Sequence, residues 1–478
     1  MIPIAPGIDA GWVRENQWPK KRCLLGIFLG FILAAGCSTL PMKGVSEDPV
    51  LGLHSTMARG EISVLMAAVR FPDAAPTLPL QRVQKKVVDD MDRYVREQSY
   101  GAAWVKADFR GWVDLPRPLS EYKVSPYNFQ VDRGRVRKLI EDTMTALEKD
   151  VDFAKYQHIL IIPAVQTMPG KGYGMLCYCA NPGMLTGTRK NPDYVVLRSK
   201  SGKEFRGGVF VAAENANLGM FAHDFFHALG GVHDGKRLVP CLYDYERQSD
   251  SSRSPNPEEH AIYMGPWDIM SEHFVKRGEP PPGVSSFTKI RLGWVPPSKV
   301  LTVKPGETAC TFLSPLSANG DTLAVKIALR DGNYYLVENR QPVGFDSILP
   351  DSGIVILKVN PEALEGSGTV QVMNADPRAP RFSKAAFRLD KEGKNFFSDQ
   401  KNRVAIIPLW SEKTTLGVLV STPDRSVEAA EAASRIQKLL ARFPEPRSEE
   451  KDRVVRESVE LFKKFDFRAA GDRAALAP

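Results

Sequence analysis

Apolar and polar positions along the chain change period several times, and each change marks an element. From Glu61 to Val69 the residues form an apolar, β-rich run, the pattern of a buried strand. Leu80 to Gln98 repeats valine and tyrosine at helical spacing, and Arg135 to Lys149 reads as a second amphipathic helix. Ile159 to Ala164 is a further buried strand. After a turn-rich span, a helix is predicted to begin near Asn217, whose side chain can accept from the free N–H groups of a first turn. Strand, helix, strand, helix describes an α/β domain over residues 60–298.

Beyond Val300 the period shortens. Leu323, Val325, Ile327 and Leu329 alternate with polar neighbours, and Ile354–Val359, Val404–Leu409 and Leu416–Val420 are short apolar runs between Gly, Pro and Asp breakers. These predict a β-sandwich-like domain over residues 299–423. Helical spacing then returns over 424–478. Ala429, Ala433, Ile436, Leu440 and Phe443 form one stripe, and Val455, Val459 and Phe462 form another after a PEP break, which predicts a helical hairpin packed on the body. With 478 residues the chain exceeds what one core usually supports, and it shows no internal repeat.

The first residues carry an address. Lys20, Lys21 and Arg22 precede an apolar run from Cys23 to Ala35, then Gly36 and Cys37, the layout of a signal peptide over 1–36. The stretch LAAGCS resembles a bacterial lipoprotein signal, which implies that Cys37 is acylated and becomes the N-terminus, with ordinary cleavage as the alternative. Residues 37–59 then read as a polar tether holding the body off a membrane. The expected location is the cell envelope, lipid-anchored and in the outer membrane, or outside the cell. No later run has 18 consecutive apolar residues.

Removing the leader leaves a net charge of about +6, because it carries four of the 64 basic and two of the 56 acidic side chains. Those charges are interspersed, which argues against nucleic acid as a partner. Cys177, Cys179, Cys241 and Cys310 remain as disulfide candidates, although Cys177 and Cys179 are too close in sequence to bond readily to one another. The pattern sets no oligomeric state.

The chemistry concentrates in HDFFHALGGVH. On a helix, His223 and His227 project from one face and can reach a single ion. Gly230 can take the left-handed conformation that ends a helix, bringing His233 in as a third ligand. Three protein ligands leave a fourth position open, the mark of catalytic zinc. Asp224 stands where HExxHxxGxxH zincins place a Glu general base; it has the same chemistry on an arm one methylene shorter. The segment Trp267–Ser271 adds a methionine-turn candidate, Met270, 37 residues past His233. The remaining histidines, His54, His158, His260 and His273, have no partner at comparable spacing and read as structural or surface residues. Glu338, Asn339 and Arg340 fit either substrate contacts or an interface salt bridge.

The runs NLGMFAHDFFHALGG, MGPWDIMS and SSFTKIRLGWVPP resemble the immune inhibitor A-like secreted zinc metallopeptidases. Val69–Asp73, Tyr94–Gly101, Val151–Ile162 and Asn333–Val359 match the order of segments in that family, so the likeness spans roughly residues 60–360. It implies a zincin fold, Zn2+ on His223 and His227, and a peptide or protein substrate. The family usually has Glu at the position of Asp224 and commonly Asp at that of His233. The expected function is zinc-dependent endopeptidase action, with a pseudo-peptidase that binds peptide or glycan as the alternative; a metal hydrolase of non-peptide bonds is a third reading.

Overall fold

The computed structural model of the chain describes residues 44–122, 132–166, 177–187, 189–249, 261–276, 278–390 and 395–476. The leader, Cys37 and His260 lie outside the described residues.

The first layers form around a five-stranded sheet. Its strands are β1 (Gly60–Arg70), β2 (Ala103–Asp114), β3 (His158–Pro163), β4 (Cys177–Asn181) and β5 (Gly208–Ala212), in the order β2-β1-β3-β5-β4. All neighbours are parallel except β4, which runs antiparallel to β5 at the edge, with Cys177 opposite Ala212. Parallel strands need both faces covered, so they read as continuous apolar runs. In β1, Ile62, Val64, Met66 and Ala68 face one core while Leu65, Ala67 and Val69 face another. A helix over residues 80–98, with a π-helical stretch at Lys86–Asp90, supplies Val83, Val87 and Met91 to the first core. The helix Arg133–Leu147 supplies Val136, Leu139, Ile140 and Met144 to the second. Both helices and both strands expected from periodicity are therefore present; β2, β4 and β5 were not anticipated.

The segment read as a tether is part of the body wherever it is described. Val45–Asp48 and Gly52–Ser55 pair as a hairpin. Ser55 Oγ, fully buried, donates to Leu229 O at 2.5 Å, and Arg291 reaches Leu53 O at 2.9 Å. The strands are only four residues long, too short for their period to stand out in the sequence.

Two further sheets stack beyond. One contains β6 (Val300–Val303), β8 (Ala324–Ala328), β9 (Tyr334–Arg340), β10 (Gly353–Val359) and β11 (Val370–Val372); the other contains β7 (Ala309–Leu313), β12 (Phe397–Asp399), β13 (Val404–Glu412) and β14 (Thr415–Ser421). Val325, Ile327, Val337, Ile356, Ile406 and Val418 meet between them. The outer face of the first sheet contributes Leu336, Val355, Leu357 and Val359 to the same core as Phe221, Phe225 and Trp267. One apolar core thus joins the expected α/β and β-rich regions. The outer face of the second sheet, through Ile407, Leu409 and Leu419, is covered by C-terminal helices.

Those helices number three rather than the two of a hairpin: Pro423–Arg442, Glu449–Lys463 and Phe467–Ala475. The third is capped by Asp466, whose side chain accepts from Ala469 N, and nine residues are too few to display a stripe. No helix among the described residues is long and apolar enough to cross a membrane.

Candidate metal centre

The helix Leu218–Gly230, here α3, carries the site. Asn217 starts it as expected, with Oδ1 accepting from Met220 N at 3.0 Å. It ends one residue later than expected. Gly230 is still helical, and Gly231 takes a positive φ of +73° with ψ −160°, an extended conformation open to glycine. What Gly230 provides is closeness, since a Cβ there would lie 2.7 Å from Val239 Cγ2.

His223 and His227 point to one place, as the i, i+4 spacing requires, with their Nε2 atoms 3.0 Å apart. The third member is Cys241. Its sulfur lies 3.4 Å from His223 Nε2 and 3.3 Å from His227 Nε2, and all three residues are buried. His233, the expected third ligand, is elsewhere. It sits in a tight hairpin in which Val232–His233 pairs with Lys236–Arg237; its side chain is 41% exposed and its Nε2 is 3.4 Å from Asp234. The hairpin carries His233 outward and then returns the chain, so that Cys241 arrives where His233 was expected.

The donors fit a cation. His223 Nδ1 lies 2.8 Å from Ile269 O, and His227 Nδ1 lies 2.6 Å from Val239 O. A carbonyl only accepts, so each Nδ1 carries the proton and each neutral ring turns a bare Nε2 lone pair toward the other. A single thiol proton cannot satisfy two nitrogens. Burial, only partly offset by the Ile269 carbonyl, pushes His223 down to about 4, and burial together with Arg237 holds His227 well below its ordinary value, so neither ring readily takes a second proton. Burial also raises the Cys241 thiol well above its usual range. A bound dication reverses that preference, because a coordinating thiol is deprotonated outright. Two imidazoles and a thiolate suit zinc, and they suit copper as well, so the donor set names a class of metal and not one ion.

The surroundings fasten the ligands. Glu365 accepts from Cys241 N at 3.0 Å, Tyr245 Oη at 2.7 Å and Arg237 at 3.2 Å. The Trp267–Ser271 segment acts through its main chain. Ile269 O orients His223, Met270 O accepts from Leu242 N at 2.8 Å, and Asp268 pins the turn through Met270 N, Ser285 and Thr288. The Met270 side chain is fully buried in the shared core. His273, read from sequence as structural or surface, packs edge-on against His223 with ring centroids 4.5 Å apart.

Asp224 is buried and faces the edge strand, where its Oδ2 meets Cys177 Sγ at 2.6 Å and the carboxylate also accepts from the Cys179 backbone. Burial raises it to about 7, against the pull of Cys177 and Arg237. All four described cysteines are free thiols, and Cys310 belongs to the core beneath the C-terminal helices.

No family model and no curated protein matches the chain.

Glu338 and Arg340 form a buried ion cluster rather than a substrate contact. Arg340 donates to Glu338 at 3.0 Å, to Asp346 at 2.7 Å and to Trp267 O at 2.9 Å, which ties the sandwich to the turn beneath His223.

Cys241 is the member of the candidate metal cluster that sequence reasoning missed. The available signal was a cysteine flanked by Pro240 and by Tyr243 and Tyr245, 14 residues after His227, with a Gly-centred hairpin between them.

Proposed function

We propose that the chain is a zinc-dependent metallopeptidase of zincin type, with His223, His227 and Cys241 as ligands and Asp224 as the proton carrier. The observation that carries this reading is the convergence of three buried lone-pair donors, with the buried carboxyl of Asp224 on the same helix as two of them. Zinc bound there would supply Lewis acidity and a water acidified toward neutrality. Asp224 would take a proton from the attacking water at a carboxylate oxygen and return it to the leaving amine nitrogen. The Ile269 and Val239 carbonyls keep both imidazoles in the tautomer that leaves Nε2 free. The resemblance to immune inhibitor A-like peptidases supports a peptide or protein substrate. The lipoprotein-type leader supports attachment to the envelope through Cys37, which labelled fatty-acid incorporation tests: Cys37→Ala should abolish it.

One observation favours the alternative of a peptide- or glycan-binding pseudo-peptidase. The hydrogen bonds of Asp224 go to the edge strand, and its arm is one methylene shorter than glutamate. The two readings separate in one assay, cleavage of unfolded protein and of a mixed peptide library. Chelator-sensitive cleavage that vanishes in Asp224→Ala and His223→Ala supports the peptidase. Zinc retained without cleavage, with activity gained in Asp224→Glu, supports the binding protein.

A further inference from the structure

We infer that Cys177 is the positioning residue for Asp224, fixing the direction of its carboxylate from the edge strand. The inference rests on the peptidase reading for its consequence in catalysis, but the geometry stands by itself. Strand β4 is antiparallel, and its register opposite Ala212 and Phe210 turns Cys177 to the side on which α3 packs. There Cys177 Sγ touches Asp224 Oδ2, while the Met220 carbonyl, one turn earlier on α3, lies 3.4 Å from the same sulfur. A thiol has one proton to give, and a carboxylate accepts more strongly than a neutral carbonyl, so the proton goes to Asp224. The Cys179 backbone, two residues further along β4, also favours the ionised form of the same carboxylate.

The carboxylate is therefore held from the edge strand by the Cys177 side chain. Aspartate has one fewer rotatable bond than glutamate, so a single close donor goes far toward defining its direction. A base on so short an arm depends on that direction, because a displacement of about 1 Å at a reacting group can cost about 100-fold in rate. The hydrogen-bond partners of Cys177 Sγ are the Asp224 carboxylate and the Met220 carbonyl, so its effect is exerted through Asp224.

The test replaces the donor and keeps the volume. Cys177→Val fills the site without a donor, Cys177→Ala empties it, and Cys177→Ser restores a donor on a shorter bond still within reach. With fluorescently labelled casein as substrate, Val and Ala are expected to lower kcat by about 100-fold at unchanged KM and unchanged zinc content, and Ser to recover most of the loss. Crystal structures of the three variants give a readout independent of turnover. The Asp224 carboxylate should keep its direction in Cys177→Ser and leave it in Cys177→Ala. An unmoved carboxylate in Cys177→Ala, or equal kcat in the Ala and Ser variants of an active enzyme, would overturn the assignment. A native chain that cuts nothing while Asp224 still follows residue 177 sinks the peptidase reading and supports the positioning role.

Discussion

Two buried polar clusters lie close together in this chain and differ in one respect. Around Arg340, donors meet acceptors: the guanidinium faces two carboxylates and two carbonyls, and among its partners Glu338 also accepts from Ser286 N at 2.7 Å. Around His223, acceptors meet acceptors, two imidazole lone pairs and a sulfur within 3.4 Å of one another. The first cluster is complete as protein. Among the described residues the second lacks a positive partner, and that difference marks it as a candidate ligand site. The first cluster also steadies the surroundings of the second, because Arg340 holds Trp267 O two residues before the carbonyl that orients His223.

Removing a donor from the second cluster should have the largest effect. His223→Ala and Cys241→Ala are each expected to lose stoichiometric metal during dialysis, read by elemental analysis of the purified protein. Retention of one equivalent by Cys241→Ala would show that the sulfur is not a ligand. In the first cluster the cost should fall on folding. Arg340→Leu strands two buried carboxylates, and urea denaturation should show a loss of about 3–5 kcal/mol. A loss below about 1 kcal/mol would mean that the cluster is wetter than its burial implies.

A third buried polar group, His158, sharpens the rule because it belongs to neither kind. Its ring lies edge-on to Phe225, and neither nitrogen has a hydrogen-bond partner among the described residues. Burial alone pushes it down from 6.5 to about 3. Below pH 6.5 the unfolded chain takes a proton that the folded chain refuses, so stability present above 6.5 drains away as pH falls toward 3. The slope is at most about 1.4 kcal/mol per pH unit. His158→Leu should remove that part of the acid sensitivity, and denaturation of both proteins at pH 7 and pH 4 measures it. An unchanged difference between the two pH values would contradict the burial of a neutral ring.

Smaller effects test the frame of the site. Gly230→Ala should force Val239 aside and cost about 1–3 kcal/mol by overpacking, with weaker metal retention because Val239 O orients His227. The smallest change is expected at His233, where His233→Ala should leave metal content untouched.

How much of this could be read from the chain alone depends on the range of each interaction. Period and local chemistry revealed β1, β3 and α3, the Asn217 cap and the facing pair His223 and His227, all set by neighbours within a few residues. Cys241 was hidden because a hairpin intervenes, and a hairpin has no period that betrays where it returns the chain. His233 offered the familiar spacing at the wrong end of that hairpin. The link between Asp224 and Cys177 spans 47 residues and depends on β4 joining the sheet edge antiparallel. Similarly, Glu338 and Arg340 could be read as either substrate contact or salt bridge until Asp346 and Trp267 were brought against them.

X-ray absorption at the zinc edge of the zinc-loaded protein tests the centre most directly. One sulfur and two imidazole nitrogens from the chain are expected around the metal, with the sulfur signal lost in Cys241→Ser and unaffected in His233→Ala. A shell of nitrogen and oxygen alone, or a protein that retains no zinc, would contradict a centre built from His223, His227 and Cys241.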